Sequence, residues 1–540
     1  MKILLVHPSY PITYWGFQYA LRYSGAKAML PPLGLVTLAA LLPAEWDMRL
    51  VDLNIESLPD ATLAWADAVL IGGMRVQADS MHEVTARAHA LGKTVVVGGP
   101  APTTSPGEYA DADVVFQGEA EGRVPSLVSA IVEAVAEADR QGARTPRVLS
   151  AEGLPSPAMT TSPTPRFELL QLARYDTMSI QTSRGCPYRC EFCDIIEIFG
   201  RVPRIKSAEQ VIGEMEALRL LGWRGAIFVV DDNFIGNRPA VRKLLPKLTA
   251  YQAERGHPFD LSTEASINLA SDEPLVTAMV EAGFSGIFVG IESPDAASLQ
   301  GTQKTQNLRM DLLEAVNSLS KAGLEVMAGF IVGFDEDGPA IFEAQRAFIQ
   351  STPIPIAMAG LLMALPQTQL WRRLDREGRL RTTTNGDQFG RPNFVPTLDE
   401  ATLVKGYAQL LSDLYQPKAY FERVQRQALL GGKTPGHARV KLSDVWKLVK
   451  VMFMLGIVRS WRGHFWKLLF KTARKAPHNL RRAVVLAAMG DHMIRYTKED
   501  VLPRLAEALG DIEREASPER ARALPIVSDD GAIAAPALSA

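Results

Sequence analysis

The chain has 540 residues, of which 47% are hydrophobic and 22% are charged, a composition that supports packed cores in about two to four domains. Its formal net charge of −2 provides no general attraction to nucleic acid, so no nucleic-acid partner is expected. No stretch approaches the roughly 18 apolar residues of a membrane span. The N-terminal apolar run meets His7 and Pro8 too early for a signal peptide, and we expect a cytoplasmic protein with reduced thiols.

Residues 1–138 alternate short β-branched runs with helix-like segments, which is typical of βα units around a parallel sheet. The predicted strands are Lys2–His7, Met48–Leu53, Ala68–Gly72, Thr94–Gly98 and Val114–Gln117. No Gly-x-Gly-x-x-Gly follows the first strand, which disfavours a nicotinamide-dinucleotide site. An aromatic-rich insertion at residues 10–23 either belongs to the core or caps a planar cofactor or apolar substrate. We predict a Rossmann-like domain whose strand-end loops carry the function.

A proline-rich connector is predicted at residues 139–168, because prolines recur there and bulky apolar residues are few. The βα alternation resumes at residues 169–395 with six further units. Their predicted strands are Thr177–Thr182, Ala226–Val230, Asp260–Glu264, Gly286–Gly290, Val326–Val332 and Ala357–Met363. The fold class is therefore α/β, with functional groups expected at the carboxyl ends of these strands.

Residues 396–515 are predicted to form a helical C-terminal domain, beginning with an amphipathic helix at Leu403–Tyr415. The segment 441–482 contains eleven Lys or Arg residues and one acid, Asp444, interleaved with tryptophan and phenylalanine. Two interpretations stay open for it: a helical bundle with a solvated basic face, or a helix pair in peripheral contact with the inner face of an anionic membrane. The tail at 516–540 is predicted to be disordered.

All three cysteines of the chain, Cys186, Cys190 and Cys193, fall within eight residues. Thiolates at these intervals let one short loop wrap a corner of an iron-sulfur cluster and leave one metal position open. A closed zinc site would need a fourth ligand nearby, and the next histidine downstream is His257. An open cluster is favoured, with zinc as the alternative.

The Cys-x3-Cys-x2-Cys spacing, with Phe192 directly before the last cysteine, resembles the cluster loop of the radical S-adenosylmethionine (SAM) superfamily. The resemblance implies a partial (β/α)6 barrel whose first strand precedes this loop, and a 4Fe-4S cluster held by the three cysteines. It also implies that SAM chelates the open iron and is cleaved to a 5'-deoxyadenosyl radical. An electron donor such as a flavodoxin or ferredoxin would be the partner.

The same resemblance assigns SAM contacts to strand ends of the barrel. These candidates are Phe192, Asp231, Asp232, Asn233, Glu264, Glu292, Gly329, Gly333 and Leu365. Each has a structural alternative: Asp231 to Asn233 would also suit a helix N-cap, and the two glutamates would also suit ion pairs that line a barrel. Arg184, just before the cluster loop, is expected to brace it.

The strand-end loops of the first domain resemble those of the cobalamin-binding domain that precedes many radical SAM enzymes. The Asp-x-His-x-x-Gly signature that supplies a histidine to cobalt is absent, because the chain has Asp52, Leu53 and Asn54 where it is sought. The residues expected to bind cobalamin are Asp52, Asn54, Met74, Arg75, Gln77, Gly98, Gly99, Gly118 and Glu119. The alternative is that the glycines only permit tight turns.

The order of the three parts resembles the cobalamin-associated radical SAM group that includes the hopanoid C-2 methylases. That resemblance implies methylation of an unactivated carbon on a small molecule or lipid, with a hopanoid-like isoprenoid favoured. Two alternatives stay open: a radical cyclase or rearrangement enzyme without methyl transfer, and a non-catalytic cobalamin- or metal-binding sensor. Methylthiolation is disfavoured because no cysteines remain for a second cluster. No residue is assigned as a catalytic acid or base.

Overall fold

A computed structural model of the protein describes residues 1–139, 146–382, 384, 386–432 and 442–516. Part of the predicted connector, residues 140–145, therefore lies outside the described residues. The predicted disordered tail does so as well from residue 517 onward, as does the start of the basic segment at Lys441. Within the described parts, no helix is long and apolar enough to cross a membrane.

The N-terminal domain is a six-stranded parallel sheet in the order β2-β1-β3-β4-β5-β6. Its strands are β1 Lys2–His7, β2 Asp47–Asp52, β3 Ala68–Gly72, β4 Thr94–Gly98, β5 Val114–Phe116 and β6 Arg147–Leu149. The helices are α1 Gln18–Ser24, α2 Leu33–Leu41, α3 Asp60–Trp65, α4 Ala78–Ala90, α5 Pro100–Thr104 and α6 Val124–Asp139. The strand order reverses beside β1 and β3, which is where ligands of such sheets bind.

Five of these strands match the predicted ones to within a residue, and three of them, β1, β3 and β4, are apolar runs buried on both faces. Leu4, Val6 and Val97 lie in the apolar layer on one side, and Leu5 and Val96 in the layer on the other. Strand β6 is a difference from the prediction, since it falls within the proline-rich connector and pairs with β5. The described part of the connector thus contains an edge strand.

The second sheet is a parallel half-barrel in the order β14-β13-β12-β11-β10-β7. Its strands are β7 Thr177–Ile180, β10 Gly225–Val229, β11 Phe259–Glu264, β12 Phe284–Glu292, β13 Glu325–Val332 and β14 Ala357–Leu361. A two-stranded antiparallel ribbon, β8 Ser183–Arg184 and β9 Arg204–Ile205, frames the cluster loop. The helices of this part are α7 Ile195–Ile198, α8 Ala208–Leu220, α9 Arg238–Glu254, α10 Glu273–Glu281, α11 Ala296–Gly301, α12 Leu312–Ala322, α13 Ile341–Ser351 and α14 Gln369–Arg376.

The C-terminal part is helical, as predicted, and closes over both sheets. Its helices are α15 Glu400–Leu414, α16 Pro417–Leu430, α17 Leu442–Phe453, α18 Arg462–Lys475, α19 Leu480–Tyr496 and α20 Leu502–Glu515. A π-helical turn at Met454–Val458 follows α17. The first of these helices covers the barrel, where Tyr407 on α15 donates a 2.9 Å hydrogen bond to the carbonyl of Ala359 on β14.

The aromatic insertion after β1 joins the N-terminal domain to the C-terminal helices. The Tyr14 hydroxyl lies 2.6 Å from Thr497 Oγ1, and Tyr23 donates to Asp491 at 2.7 Å. Tyr14, Phe17 and Tyr23 are buried in the same core as the barrel. Trp15 is the exception, being 40% exposed. The insertion is therefore mostly core, with one indole left at a surface.

Candidate active site

The cluster loop begins directly after β8, and backbone geometry fixes its first turn. Gly185 has φ 94°, and a Cβ there would lie 2.8 Å from the carbonyl oxygen of Gly200. Glycine is required because a side chain would collide with this backbone. The Cys186 amide then donates to the same Gly200 oxygen at 3.3 Å. Cys190 is buried, whereas Cys186 and Cys193 are partly exposed.

The donors around the thiols suit an iron-sulfur cluster. Asn233 Nδ2 lies 3.9 Å from Cys186 Sγ, and Gln306 Nε2 lies 3.7 Å from Cys190 Sγ. Such N–H groups stabilise cluster sulfur and thiolate charge. Among the described residues, no three His, Cys, Asp or Glu side chains are arranged to hold a single metal ion. The two N–H donors beside the thiols fit a cuboidal cluster, in which each thiolate binds its own iron.

Asp231 and Asp232, which follow β10, have different hydrogen-bond partners and different roles. Both oxygens of the buried Asp231 accept hydrogen bonds from the backbone and hydroxyl groups of Thr182 and Ser183. Asp231 therefore ties β10 to the start of the cluster loop, and its carboxylate has no free acceptor directed at a ligand. Asp232 accepts only the Gly185 amide, at 3.1 Å, and burial raises its pKa to about 7. Of the pair, Asp232 is the better candidate for the SAM ammonium.

Glu264 ends β11 without a side-chain hydrogen bond to any described residue. Burial, together with the charges of the neighbouring Asp232 and Asp231, raises the pKa of Glu264 to about 8, against a lowering effect of Lys304. Carboxyl groups crowded in this way favour a cation between them. Glu264 and Asp232 together suit the positive charges of SAM.

We expect the SAM-free protein to lose stability as pH rises from about 5 to about 8, in part because of Glu264. The unfolded state releases this proton near pH 4.5, whereas the folded state retains it up to about pH 8, so the folded state binds more protons within that window. The Glu264→Gln variant should show a shallower loss, by up to about 1.4 kcal/mol per pH unit. Urea unfolding of both proteins across this range measures it; equal slopes would contradict the assignment.

Glu292 and Lys304 form a buried ion pair beside the cluster loop. Glu292 ends β12 with φ 63°, and its Oε1 accepts from Lys304 Nζ at 2.6 Å. Lys304 Nζ lies 5.9 Å from the ring centre of Phe192 and interacts favourably with Cys190 and Cys193 thiolate charge. A left-handed conformation at a non-glycine residue is costly and is usually retained at functional sites. Glu292 therefore holds Lys304 beside the cluster loop, and its predicted contact with SAM stays a prediction.

The other predicted SAM contacts lie along the neighbouring strand ends. A Cβ at Gly329 would come within 3.2 Å of the Phe288 ring, so glycine there leaves room in the barrel. Gly333 has φ 103°, and its amide donates to Asp337 at 2.8 Å. The Leu365 carbonyl accepts from Thr368. The contacts of Gly329, Gly333 and Leu365 shape the backbone around the site, and their predicted contacts with SAM stay predictions.

The candidate cobalamin face lies at the carboxyl ends of β1 to β4. Asp52 is fully buried and accepts from Tyr175 at 2.9 Å and from Asn54 at 2.9 Å and 2.7 Å. Gln77 is also buried, donating to the Pro8 carbonyl and accepting the Met74 amide. These three predicted residues shape the loops from within. Met74, by contrast, is 49% exposed and free to pack against a ligand.

The remaining predicted cobalamin residues shape the rim of the same face. Arg75 binds Glu108, Ser105 and the Thr384 carbonyl, so its charge is already paired. Gly99 has φ 97°, and a Cβ there would lie 3.0 Å from the Gly73 carbonyl oxygen. Gly98 accepts the Gly73 amide, and Gly118 donates to Thr103. Glycine at position 99 therefore permits this close backbone approach, and the Asp52 loop contains no histidine.

Glu119 lies in an ion-pair network between the two sheets, away from the predicted cobalamin contact. Arg184 donates to Glu119 at 2.6 Å and to Glu121 at 3.0 Å, and Arg204 donates to Glu119 at 2.7 Å. The three side chains Arg184, Glu119 and Glu121 are nearly buried. Arg184 thus braces the cluster loop, as expected, by fastening it to the N-terminal domain.

Several apolar side chains inside the half-barrel are only partly buried. Along β13, residues that face the helices are buried, whereas the alternate, inward residues Met327 and Gly329 are only partly buried. Phe228, Phe288 and Met358 are likewise inward and partly buried. The Trp15 ring lies 4.7 Å from Phe288 and 6.5 Å from Phe228, so the insertion after β1 places an indole over this interior.

Sequence reasoning missed Lys304, Gln306 and the site of Trp15. Lys304 lies just before a 3-10 turn at Thr305–Arg309, and Gln306 lies within it. So short a turn has no hydrophobic periodicity from which it could be predicted. Trp15 lies far along the chain from the strands it contacts. Only the packing of the three parts brings these residues to the cluster and the barrel interior.

Comparison with known families agrees with this geometry. The family model of the radical SAM superfamily matches residues 180–344, and that of the B12 binding domain matches residues 25–128. A domain of unknown function, DUF4070, matches residues 368–502. Among solved structures, the cobalamin-dependent SAM radical enzyme OxsB aligns with a TM-score of 0.54 and 14% identity, covering 95% of this chain and 84% of that one. The radical SAM methyltransferase TsrM from Kitasatospora setae also gives 0.54, with 16% identity, covering 88% and 99%.

Two relatives extend along nearly the whole chain. An uncharacterized methyltransferase of Synechocystis sp. is 40% identical, covering 95% of this chain and 94% of its own length. The hopanoid C-2 methylase of Rhodopseudomonas palustris is 35% identical, covering 92% of this chain and 94% of its own length. The chain therefore belongs to the cobalamin-dependent radical SAM methyltransferases, enzymes that use a 4Fe-4S cluster, SAM and cobalamin.

Proposed function

We propose that the protein methylates an unactivated carbon of a hopanoid or a similar polycyclic isoprenoid lipid. The observation that carries the proposal is the half-barrel interior, whose inward side chains Phe228, Phe288, Met327 and Met358 are apolar and partly uncovered. An apolar ring system fills such a space favourably, at about 25 cal/mol per Å² of buried apolar surface. A polar substrate would leave its own groups without hydrogen-bond partners there.

Some residues around this interior bind the cluster and SAM, and others shield the reaction from water. Cys186, Cys190 and Cys193 hold the cluster, while Asp232 and Glu264 hold SAM through its positive charges. When bound, the cluster and SAM supply a 5'-deoxyadenosyl radical, and cobalamin supplies the methyl group. Apolar walls exclude water and so limit side reactions, which favours reaction with the substrate.

The proposal also includes an electron donor and a location at the membrane. Cys186 and Cys193 are partly exposed, so a small electron carrier such as a flavodoxin or ferredoxin is the proposed partner. A hopanoid resides in membranes, so we propose that the chain works at the cytoplasmic membrane face, without spanning it. Two of the relatives, at 35% and 40% identity, are methylases or methyltransferases, which favours methyl transfer over cyclisation or a sensor role.

The proposal is tested by anaerobic reconstitution with iron, sulfide and cobalamin, followed by incubation with reductant, an unmethylated hopanoid in detergent and SAM labelled with deuterium in its methyl group. We expect 5'-deoxyadenosine together with a hopanoid that carries the labelled methyl group. Formation of 5'-deoxyadenosine with no labelled hopanoid, across hopanoids and other polycyclic isoprenoids, would overturn the substrate class.

In the same assay, Trp15→Ala is expected to lower the yield of methylated lipid per 5'-deoxyadenosine about tenfold. The loss of a single methylene contact in an apolar pocket already costs about 1–3 kcal/mol of substrate-binding free energy. Trp15→Phe keeps an aromatic ring over Phe288 and should retain most of the coupling. Ile12→Ala, an exposed residue in the same insertion, is the matched control. Equal coupling in Trp15→Ala and the wild type would remove the indole from the substrate site.

A further inference from the structure

The C-terminal helices α17 and α18 expose an unusual amount of apolar surface. Of the 23 exposed large apolar residues in the described chain, nine lie between positions 445 and 470, and each of these nine is at least 45% exposed. The most exposed are Phe470 at 78%, Trp446 at 66% and Ile457 at 61%. We call the surface formed by exposed residues of 445–475 the α17–α18 face. Clusters of this kind mark an interaction site.

The middle of α17, residues 445–450, is exposed on every side, although its composition is that of a buried helix. All six residues from Val445 to Lys450 are exposed, and four of them are Val, Trp or Leu. A helix that is apolar around most of its circumference requires an apolar environment on more than one side. A flat protein partner covers one stripe of a helix, whereas a lipid layer surrounds the part inserted in it.

Helix α18 continues the same face on its outer side. Phe465, Leu468 and Leu469 turn inward and are buried, while Trp466 and Phe470, one turn apart, remain exposed. The Trp466 indole N–H donates to the Gly456 carbonyl at 2.9 Å, and a Cβ at Gly456 would lie 3.1 Å from that ring. This contact joins α18 to the π-helical turn and holds the two helices as one surface.

The charge of this region has a single sign. Residues 445–490 contain no Asp or Glu. The basic side chains Lys450, Lys467, Arg474 and Lys475 are exposed and form no ion pair with any described residue. Cations around exposed tryptophan and phenylalanine match the phosphate groups and acyl boundary of an anionic bilayer. They would not complement a second copy of this chain, since the same face of that copy is also cationic.

The face is also connected to the proposed substrate site. Helix α17 contacts α1, which belongs to the insertion that carries Trp15, and Tyr19 at the start of α1 donates to Asp500 at 2.9 Å. A lipid layer beneath α17 would therefore lie against the element that covers the barrel interior. We propose that the α17–α18 face, within the DUF4070 match, is a docking surface that inserts into the headgroup region of an anionic phospholipid membrane. This inference rests on the proposed lipid substrate and names the surface through which the enzyme reaches it.

The test uses the full-length protein, without SAM or reductant, in co-sedimentation with vesicles of phosphatidylcholine alone or mixed with phosphatidylglycerol. Binding is expected only to the anionic vesicles, and it should weaken at high salt. The charge reversals Lys467→Glu and Arg474→Glu together should lower the partition coefficient at least about tenfold. The apolar triple variant Trp446→Ser, Phe453→Ser and Phe470→Ser should abolish binding at all salt concentrations.

The matched control carries Val132→Ser, Leu220→Ser and Leu221→Ser, three exposed apolar residues elsewhere on the surface, and should bind as the wild type does. Equal binding by the triple variant and this control would overturn the proposal. So would a stable dimer in sedimentation velocity that the triple variant converts to monomer, because a second copy would then cover the face. Methylation of a detergent-dispersed lipid is measured separately, so failure of docking and failure of the proposed activity give different results.

Discussion

Cys190→Ala is expected to leave the reconstituted protein without its 4Fe-4S absorption and to reduce SAM cleavage below detection. Cys190 is the most buried of the three thiols and the one nearest an amide donor, Gln306 Nε2 at 3.7 Å. An alanine removes the only ligand for one iron, and the chain contains no other cysteine that could replace it. Iron and sulfide analysis and 5'-deoxyadenosine formation under dithionite measure the effect.

Tyr188→Phe is the matched control, since Tyr188 lies in the same loop, accepts a hydrogen bond from Asn268 at 2.7 Å and is no ligand. It should retain about four iron atoms per chain, as a complete cluster requires. Circular dichroism of Cys190→Ala should match that of the wild type, because the thiol contributes little to the fold beyond its volume. A Cys190→Ala protein that retained iron and cleaved SAM would overturn the ligand assignment.

Arg184→Met is expected to lower the free energy of unfolding by about 3–5 kcal/mol. The substitution leaves the nearly buried Glu121 without its cation, and Glu119 with Arg204 alone. Although burial would raise the pKa of Glu121, hydrogen bonds and charge from Arg184 hold it below its usual range. Loss of Arg184 therefore exposes the full desolvation penalty of a buried carboxylate.

Urea unfolding of the cluster-free protein measures this loss, and Arg346→Met is the control. Arg346 pairs with Glu343 on the exposed side of α13, where one ion pair contributes about 1 kcal/mol or less. Arg184→Met should also reduce cluster retention, because the N-terminal domain would no longer hold the start of the cluster loop. A loss of stability equal to that of Arg346→Met would show that the network contributes little to joining the two domains.

The fold was predictable because its strands are buried β-branched runs separated by helices of ordinary period. The boundaries of β1, β3 and β4 agree with the sequence pattern to the residue. Strand β6 was not predictable, since a three-residue edge strand within a proline-rich segment has too few residues to show alternation. Its pairing depends on β5 being already in place.

The candidate site was predictable only in part. A carboxylate at a strand end has the same sequence pattern whether it holds a loop or faces a ligand. Asp231 and Asp52 turn inward and hold loops, whereas Asp232 and Glu264 remain available to a ligand. Glu119 was expected at the cobalamin face and instead pairs with arginines of the barrel. Hydrogen-bond partners from distant segments decide among these outcomes.

What the sequence by itself determined is the chemistry of the cluster, since three thiols in eight residues leave few other uses, and the α/β order of the domains, since strand and helix periods are local properties. Tertiary structure alone decided which polar groups face a ligand, that Trp15 covers the barrel interior, and that the α17–α18 face is exposed. These depend on contacts between residues hundreds of positions apart, such as Tyr14 with Thr497, which no local pattern encodes.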